Sequence, residues 1–276
     1  MDSEKEFLAE YDLSKYDRPS VTADVAAFMI SSEERESYRK MPVNKLMLLL
    51  IKRGGHPFKG MWALPGGFLQ RGETVEQCAL REIEEETSVA PTAIMPVGIF
   101  SEPERDPRGW IISNAYASII SETDVRQAAM DDASDAQWFS VSFSKVENGE
   151  YVLDLTYEDI ELKAVLAEKS SGFGRKEFSI IDSGNLAFDH AAIIAAAITA
   201  LRNQAKNYDT IFDFLPEKFT LTAFQKVQET IMNITVLPGN FRRMVSSYVE
   251  QTDEYVRGDG HRPARLYKRK IKEEKE

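Results

Sequence analysis

The amino-acid sequence predicts an α/β fold: a mixed sheet sandwiched between helices, followed by a smaller, mainly α-helical domain. Three observations carry this. β-prone apolar runs surround one strongly helical stretch in the first half of the chain. An Ala-rich helix opens near residue 189. The charge changes sign at the same place, with a net of −13 over residues 1–188 and +2 over 189–276. Such asymmetry implies two modules with different partners, 1–185 and 186–276.

The elements follow in order. Residues 21–30, VTADVAAFMI, and 45–51, KLMLLLI, read as strands bounded by charged or Pro-containing turns. A Gly/Pro-rich loop, RGGHPFKGMWALPGG, leads into the helical stretch. Further strands are read at 95–100, 110–120 and 136–141. YVLDLTYEDIELKAVLAEKS, from Tyr151, reads as a strand and then a helix, SSGFGRK as a turn, and FSIIDS as one more strand. Asp189 is placed to cap the helix DHAAIIAAAITALRNQAKN. Thr220 or Thr222 caps a helix reaching about Met232. After a break at NITVLPG, NFRRMVSSYVEQ reads as a helix capped by Asn240, and RGDGHRPARLYKR as a hairpin.

Composition narrows the class. A chain of 276 residues, 43% hydrophobic, has room for two ordinary domains with packed cores. The net charge of −11 argues against a protein that coats nucleic acid with its whole surface. The single cysteine, Cys78, excludes an intrachain disulfide, fits a reducing compartment, and reads as a packing residue inside a helix. No apolar run approaches the roughly 18–20 residues of a membrane span, and the charged start is unlike a secretory signal. The expected location is cytoplasmic, with no membrane partner.

Most of the functional information lies in residues 67–89, GFLQRGETVEQCALREIEEETSV. Each helical residue turns about 100°, so with Glu82 at zero, Glu86 falls near +40° and Glu85 near −60°. Three carboxylates share one arc. A hard cation such as Mg²⁺ takes oxygen ligands and keeps water for a phosphate-bearing substrate. Leu80, Ile83 and Thr87 lie beside the arc and seat the helix on a core, while Glu84 points to solvent. A Glu-rich stretch alone is usually just a solvated face. Here Gly67, Glu73, Arg81, Glu82, Glu85 and Glu86 stand together at fixed offsets. That pattern resembles the Nudix box of enzymes that cut nucleoside diphosphates linked to another group. The resemblance implies a Nudix α/β/α sandwich and Mg²⁺ (or Mn²⁺) as cofactor. Glu82, Glu85, Glu86 and the Gly67 carbonyl would be its ligands, and Glu85, Glu86, Arg81 and Glu73 the catalytic set. Glu73 either adds a carboxylate or holds Arg81, and Arg81 orients carboxylates. Ser88 stands where the family usually has Gly for a left-handed turn. The general base is a box glutamate or a loop carboxylate, Asp131 or Asp132.

A second stretch, ERDPRG at 104–109, is a turn whose arginine forks suit diphosphate oxygens and ribose hydroxyls. PFKGMWALPGGF, the box, RDPRGW and DDASDAQWF together resemble the ADP-ribose-directed branch of the family, over nearly all of 18–141. The branch implies ADP-ribose or a similar nucleotide as ligand. Arg105, Arg108 and Phe58 would lie at its site, in a homodimer with sites near the interface.

Toward the C-terminus, helix, turn, helix and hairpin is the order of a winged helix-turn-helix. Residues 237–272 hold nine basic and four acidic side chains, where such a fold would meet double-stranded DNA. Arg242 and Arg243 lie near the start of the second helix, and Arg262, Arg265, Lys268 and Arg269 on the wing. A dimerisation domain with a solvated basic tail fits the pattern equally. FDH, LPEKFTL, LPGNFRR and RPARLYK resemble the C-terminal domain of NrtR-type regulators, over about 186–269. This implies a ligand-sensing regulator, with or without hydrolysis.

Overall fold

The structure, a computed structural model, describes residues 3–33, 43–88, 90–91, 93–120, 136–170, 176–256 and 263–270. Alternation builds the sheet. In β1 (Ser20–Glu33), Ala23, Val25 and Ala27 face one side while Ala26 and Phe28 face the other. In β2 (Val43–Lys52), Leu49 joins the first face and Leu46, Leu48 and Leu50 the second. Two short strands attach here, β3 (Trp62–Ala63) to β2 and β4 (Gly66–Phe68) to β1. The remaining strands are β5 (Ala93–Phe100), β6 (Ile111–Ile119), β7 (Ala136–Lys145), β8 (Tyr151–Tyr157), β9 (Ile160–Ser170) and β10 (Lys176–Asp182). The order is β10-β9-β8-β7-β2-β1-β6-β5. β1 runs parallel to β6 and antiparallel to β2, so the sheet is mixed.

A helix covers each face. The N-terminal α1 (Glu4–Glu10) buries none of its residues. α2 (Val75–Thr87) starts with a capping box between Thr74 and Gln77 and seats Cys78, Ala79 and Ile83 on the first face. α3 (His190–Ala205) lays Ile193, Ile194, Ile198 and Leu201 on the second. The result is an α/β/α sandwich.

After a short α4 (Asp209–Phe212) comes β11 (Phe219–Thr220). The Thr220 hydroxyl caps α5 (Leu221–Met232) by accepting from the Ala223 N–H at 3.0 Å. Then follow α6 (Pro238–Val245), β12 (Val249–Val256) and β13 (Ala264–Arg269), with a small sheet ordered β11-β13-β12. This is a winged helix. Among the described residues, no helix is long and apolar enough to cross a membrane.

Three local expectations are corrected. Residues 160–170 form a strand, not a helix. Tyr151, Leu153 and Leu155, then Leu162, Ala164 and Leu166, are buried at every second position, and cross-strand pairing overrides the helix-forming Glu, Lys and Ala between them. Asn240 does not cap α6. Leu237 holds the cap position and Pro238 the first turn, which suits a residue with fixed φ and no N–H. The helix also ends at Val245, because Val249–Gln251 pair with β13. Asp189 stands at the N-cap of α3 but makes no capping bond, since its carboxylate is engaged elsewhere.

The apolar core does not stop between the domains. Phe224, Val227, Ile231, Phe241 and Val245 belong to the same buried cluster as α3 and the second sheet face. Arg202 on α3 donates to the Phe143 carbonyl at 2.9 Å and to the Ile231 carbonyl at 3.0 Å, joining β7 to α5.

Candidate functional site

The Gly66–Gly67 turn brings β4 against α2. Gly67 leaves no room for a side chain, since a Cβ there would meet the Glu82 carboxylate at 2.4 Å. A Cβ on Gly66 would likewise meet the Ala23 carbonyl oxygen at 2.3 Å. The Gly66 N–H donates to Glu86 at 2.9 Å. Burial, above all, pushes Glu86 up to about 7, with the nearby Glu82 and Asp24 carboxylates adding to it.

Arg81 occupies the centre of the cluster. It donates to Glu73 at 2.8 and 3.1 Å, to Glu82 at 2.6 Å, to Glu85 at 3.2 Å and to the Phe68 carbonyl at 3.2 Å. Hydrogen bonds from Arg81 hold Glu73 down at about 2. Of the two readings of Glu73, the structure shows the one in which it holds Arg81. Glu84 is exposed, and Ile83 is fully buried. Cys78 is buried and its thiol pushed up to about 11 by burial, which leaves it a packing residue. Ser88 takes the left-handed conformation, at φ 56° and ψ 21°, with its N–H on the Glu84 carbonyl. Among the described residues, no three His, Cys, Asp or Glu side chains converge as a preformed metal cluster. Glu85 is paired with Arg81 at 3.2 Å. Even so, the donor chemistry fits a hard divalent cation: partly buried carboxylates stand against a pair of glycines where a Cβ would not fit, and burial of Glu86 outweighs the nearby Arg53 charge.

Next to the box lies a cavity of about 140 Å³ lined by Gly66, Gly67, Arg53, Arg105, Arg108 and Phe188 among others. Arg108 is aimed by Asp106, which accepts from it at 2.6 Å, and its guanidinium lies 5.1 Å from the Phe68 ring centre and 5.3 Å from that of Phe188. Its side chain stays 39% exposed. Arg105 does the opposite: only 4% exposed, it donates to both oxygens of Asp189, at 2.8 and 2.6 Å. Phe58 does not line this cavity. Its ring packs edge-on against Phe188 at 4.7 Å.

Sequence reasoning missed several residues here. Asp24, buried in β1, accepts from the Ser113 hydroxyl and lies 3.7 Å from Arg105, and burial pushes its carboxyl up. A lone acid inside VTADVAAFMI was the available signal. Phe188 and His190 were read within the second module, yet they line the cavity beside the box, while Asp189 between them lines the neighbouring groove. The Leu64 N–H donates to His190 Nδ1 at 2.8 Å, and burial holds this imidazole down at about 4, so it is neutral. Asp131, Asp132 and Arg262 lie outside the described residues.

In the winged helix, Arg242 and Arg243 are exposed, but they stand in the last turn of α6 and not near its start, because the helix begins at Pro238 and ends at Val245. Arg265 is bonded to Gln251 and Tyr255, Lys268 pairs with Glu250 at 2.5 Å, and Arg269 pairs with Asp209 at 2.8 Å.

Comparison with known proteins agrees with this architecture. Residues 24–151 match the NUDIX domain family, and residues 211–268 match the NrtR DNA-binding winged helix domain. The chain is 29% identical over 270 residues to the ADPR responsive transcriptional repressor NtrR of Acinetobacter baylyi, covering 96% of this chain and 88% of that protein. It is 45% identical over 95 residues to the ADP-ribose pyrophosphatase of Methanocaldococcus jannaschii, covering 34% of this chain and 55% of the relative's length. Among solved structures, a MutT/nudix family protein from Enterococcus faecalis superposes with a TM-score of 0.71 at 29% identity, over 98% of this chain and 94% of that one. Shewanella oneidensis NrtR in complex with a 27mer DNA gives a TM-score of 0.61 at 27% identity, over 91% and 93%.

Proposed function

From the premise that this chain is a Nudix domain joined to an NrtR-type DNA-binding winged helix, we propose that it binds ADP-ribose or a related nucleoside diphosphate derivative, hydrolyses the pyrophosphate bond with Mg²⁺, and reads double-stranded DNA as a homodimer. The observation that carries this is the joining of the box carboxylates to an arginine- and aromatic-lined cavity through the Gly66–Gly67 turn. On this reading residues 1–185, completed by Phe188, His190 and the sheet-covering α3, form the ligand-handling unit, and the remainder of 186–276 the DNA-handling unit.

Glu82, Glu85, Glu86 and the Gly67 carbonyl would hold Mg²⁺ or Mn²⁺. When bound, such an ion supplies charge to the phosphate bridge and lowers the pKa of a water. Arg81 holds the glutamates in register, with Glu73 fixing Arg81. Arg108, stacked and partly exposed, presents its fork to a diphosphate or ribose. Arg242, Arg243 and the wing cations Arg262, Arg265 and Lys268 serve DNA, the first two toward the groove and the others toward phosphates.

The test is AMP release from ADP-ribose with Mg²⁺. Glu86→Gln and Glu85→Gln should each lower the rate by orders of magnitude, and Glu84→Gln should leave it near wild type. Equal losses at all three would show that the helix face is assigned wrongly. A second reading, a sensor with little hydrolysis, is favoured by one fact: the likeness to the Acinetobacter repressor spans almost the whole chain. ADP-ribose binding with no AMP release, together with an ADP-ribose-dependent change in DNA affinity, would select it.

A further inference from the structure

Neither family match covers residues 152–210, yet this stretch supplies a wall of the cavity. It is stitched there by backbone: the Trp62 N–H donates to the Asn185 carbonyl at 3.2 Å, and the Ala187 N–H to the Trp62 carbonyl at 2.8 Å. Phe188 follows in a left-handed conformation, φ 52°, that a bulky residue rarely adopts. It is held there by the Phe58 ring and by the Arg53 guanidinium 4.7 Å from its ring centre.

Asp189 is the unusual member. An aspartate at an N-cap ordinarily accepts from the first turn of its own helix. This one instead gives both oxygens to Arg105. Two parallel N–H donors meeting two oxygens is the geometry in which arginine also takes a phosphate. Arg105 lines two spaces, and Asp189 only the larger of them. One is the 140 Å³ cavity beside the box; the other is a groove of about 700 Å³ that both residues line, between β5, β10 and α3. With the pair closed, the space beside the box is smaller than the roughly 300–1,000 Å³ that ligand sites usually offer.

We propose that Asp189 stands in for a ligand phosphate: it holds Arg105 in the ligand-free chain, and a phosphate entering the cavity displaces it and frees the start of α3. The displacement is an exchange of anions on one guanidinium, with no covalent change. Its consequence travels through α3, because Arg202 near the end of that helix ties β7 to α5 of the winged helix. Ligand and DNA affinity are then linked to the extent that Asp189 and the ligand cannot both occupy Arg105. This inference rests on the proposed ADP-ribose reading.

The experiment uses the full chain, wild type and Asp189→Asn, which keeps size and removes the charge. Calorimetry should show Asp189→Asn binding ADP-ribose about ten-fold more tightly, because Arg105 no longer has an internal competitor. A purely structural role predicts equal or weaker binding, and that result would overturn the proposal. Hydrogen exchange at 189–196 should be faster in ligand-free Asp189→Asn than in wild type. In wild type the same amides should lose protection when ADP-ribose is added; unchanged or increased protection would overturn the proposal even where the variant does not fold. Should wild type bind no ADP-ribose, the proposed function fails by itself. Inorganic pyrophosphate then serves as the probe, and loss of protection at 189–196 still supports the exchange, while its absence rejects it.

Discussion

Ser88 keeps a left-handed backbone that L-residues adopt at a cost of about 1–2 kcal/mol. Gly removes that strain, though it adds freedom to the unfolded chain. Ser88→Gly should therefore raise stability by up to about 1 kcal/mol, seen as a higher urea midpoint with unchanged slope. A lower midpoint would show that the Ser88 side chain contributes something of its own. Glu86 makes a pH prediction. A carboxyl raised to about 7 in the fold takes up a proton on folding, so its contribution is present at low pH and lost as pH climbs through about 7. A bound cation offsets that loss. The rise in Tm caused by Mg²⁺ should thus grow as pH passes through about 7, and Glu86→Gln should flatten the trend. His190 acts in the opposite sense, being depressed to about 4, so it subtracts stability only as pH falls below about 6.5, with or without metal. At this scale the pairing of Arg81 with Glu82 and Glu85 was legible, because helical spacing fixes which side chains share a face; among the described residues the three carboxylates do not converge. The Arg105–Asp189 pair was not, since 84 positions separate the partners and nothing local links them.

On the proposed reading, α6 is the element that meets DNA. Its two exposed arginines should act through phosphates and base edges, each phosphate contact adding about 0.9 to the slope of log affinity against log salt. Arg242→Ala with Arg243→Ala should weaken binding to the gene's upstream region and reduce that slope by up to about 2. An unchanged slope in an anisotropy salt series would move the contact surface off this helix. Asn240→Ala should leave helix stability nearly untouched, because Leu237 and Pro238 begin the helix and Asn240 only accepts from Arg243 at 2.8 Å. Sequence patterns located the strands at 21–30 and 45–51 and left the cap between Thr220 and Thr222, of which Thr220 holds it. They failed where a local signal competed with a distant partner. ELKAVLAEK contains good helix formers, and only pairing with β8 and β10 makes it a strand. Asn240 is a good capping residue, but the proline two positions earlier had already started the helix.

At the scale of the whole molecule, the sequence separated two modules by charge and motif, and the two family matches, 24–151 and 211–268, leave the stretch that holds the proposed boundary unmatched. Their joint packing was not legible. An Ala-rich run announces a helix but not which sheet it will cover. The shared buried cluster leads to a calorimetric expectation: heating should give one cooperative transition, with no separate peak for the winged helix. Arg202→Ala, which leaves the carbonyls of Phe143 and Ile231 without their donor, should split or broaden it. Two transitions in wild type would mean that the domains melt independently. The position of α3 also bears on synthesis. Phe28, Ala115, Ala117 and Phe178 on the second sheet face belong to strands packed against a helix that ends at Ala205, so a nascent chain that has emerged only as far as β10 still presents a bare apolar wall. Translation must run past that helix, about twenty residues beyond the last strand of the sheet, before the ribosome releases anything that chaperones and proteases would treat as finished.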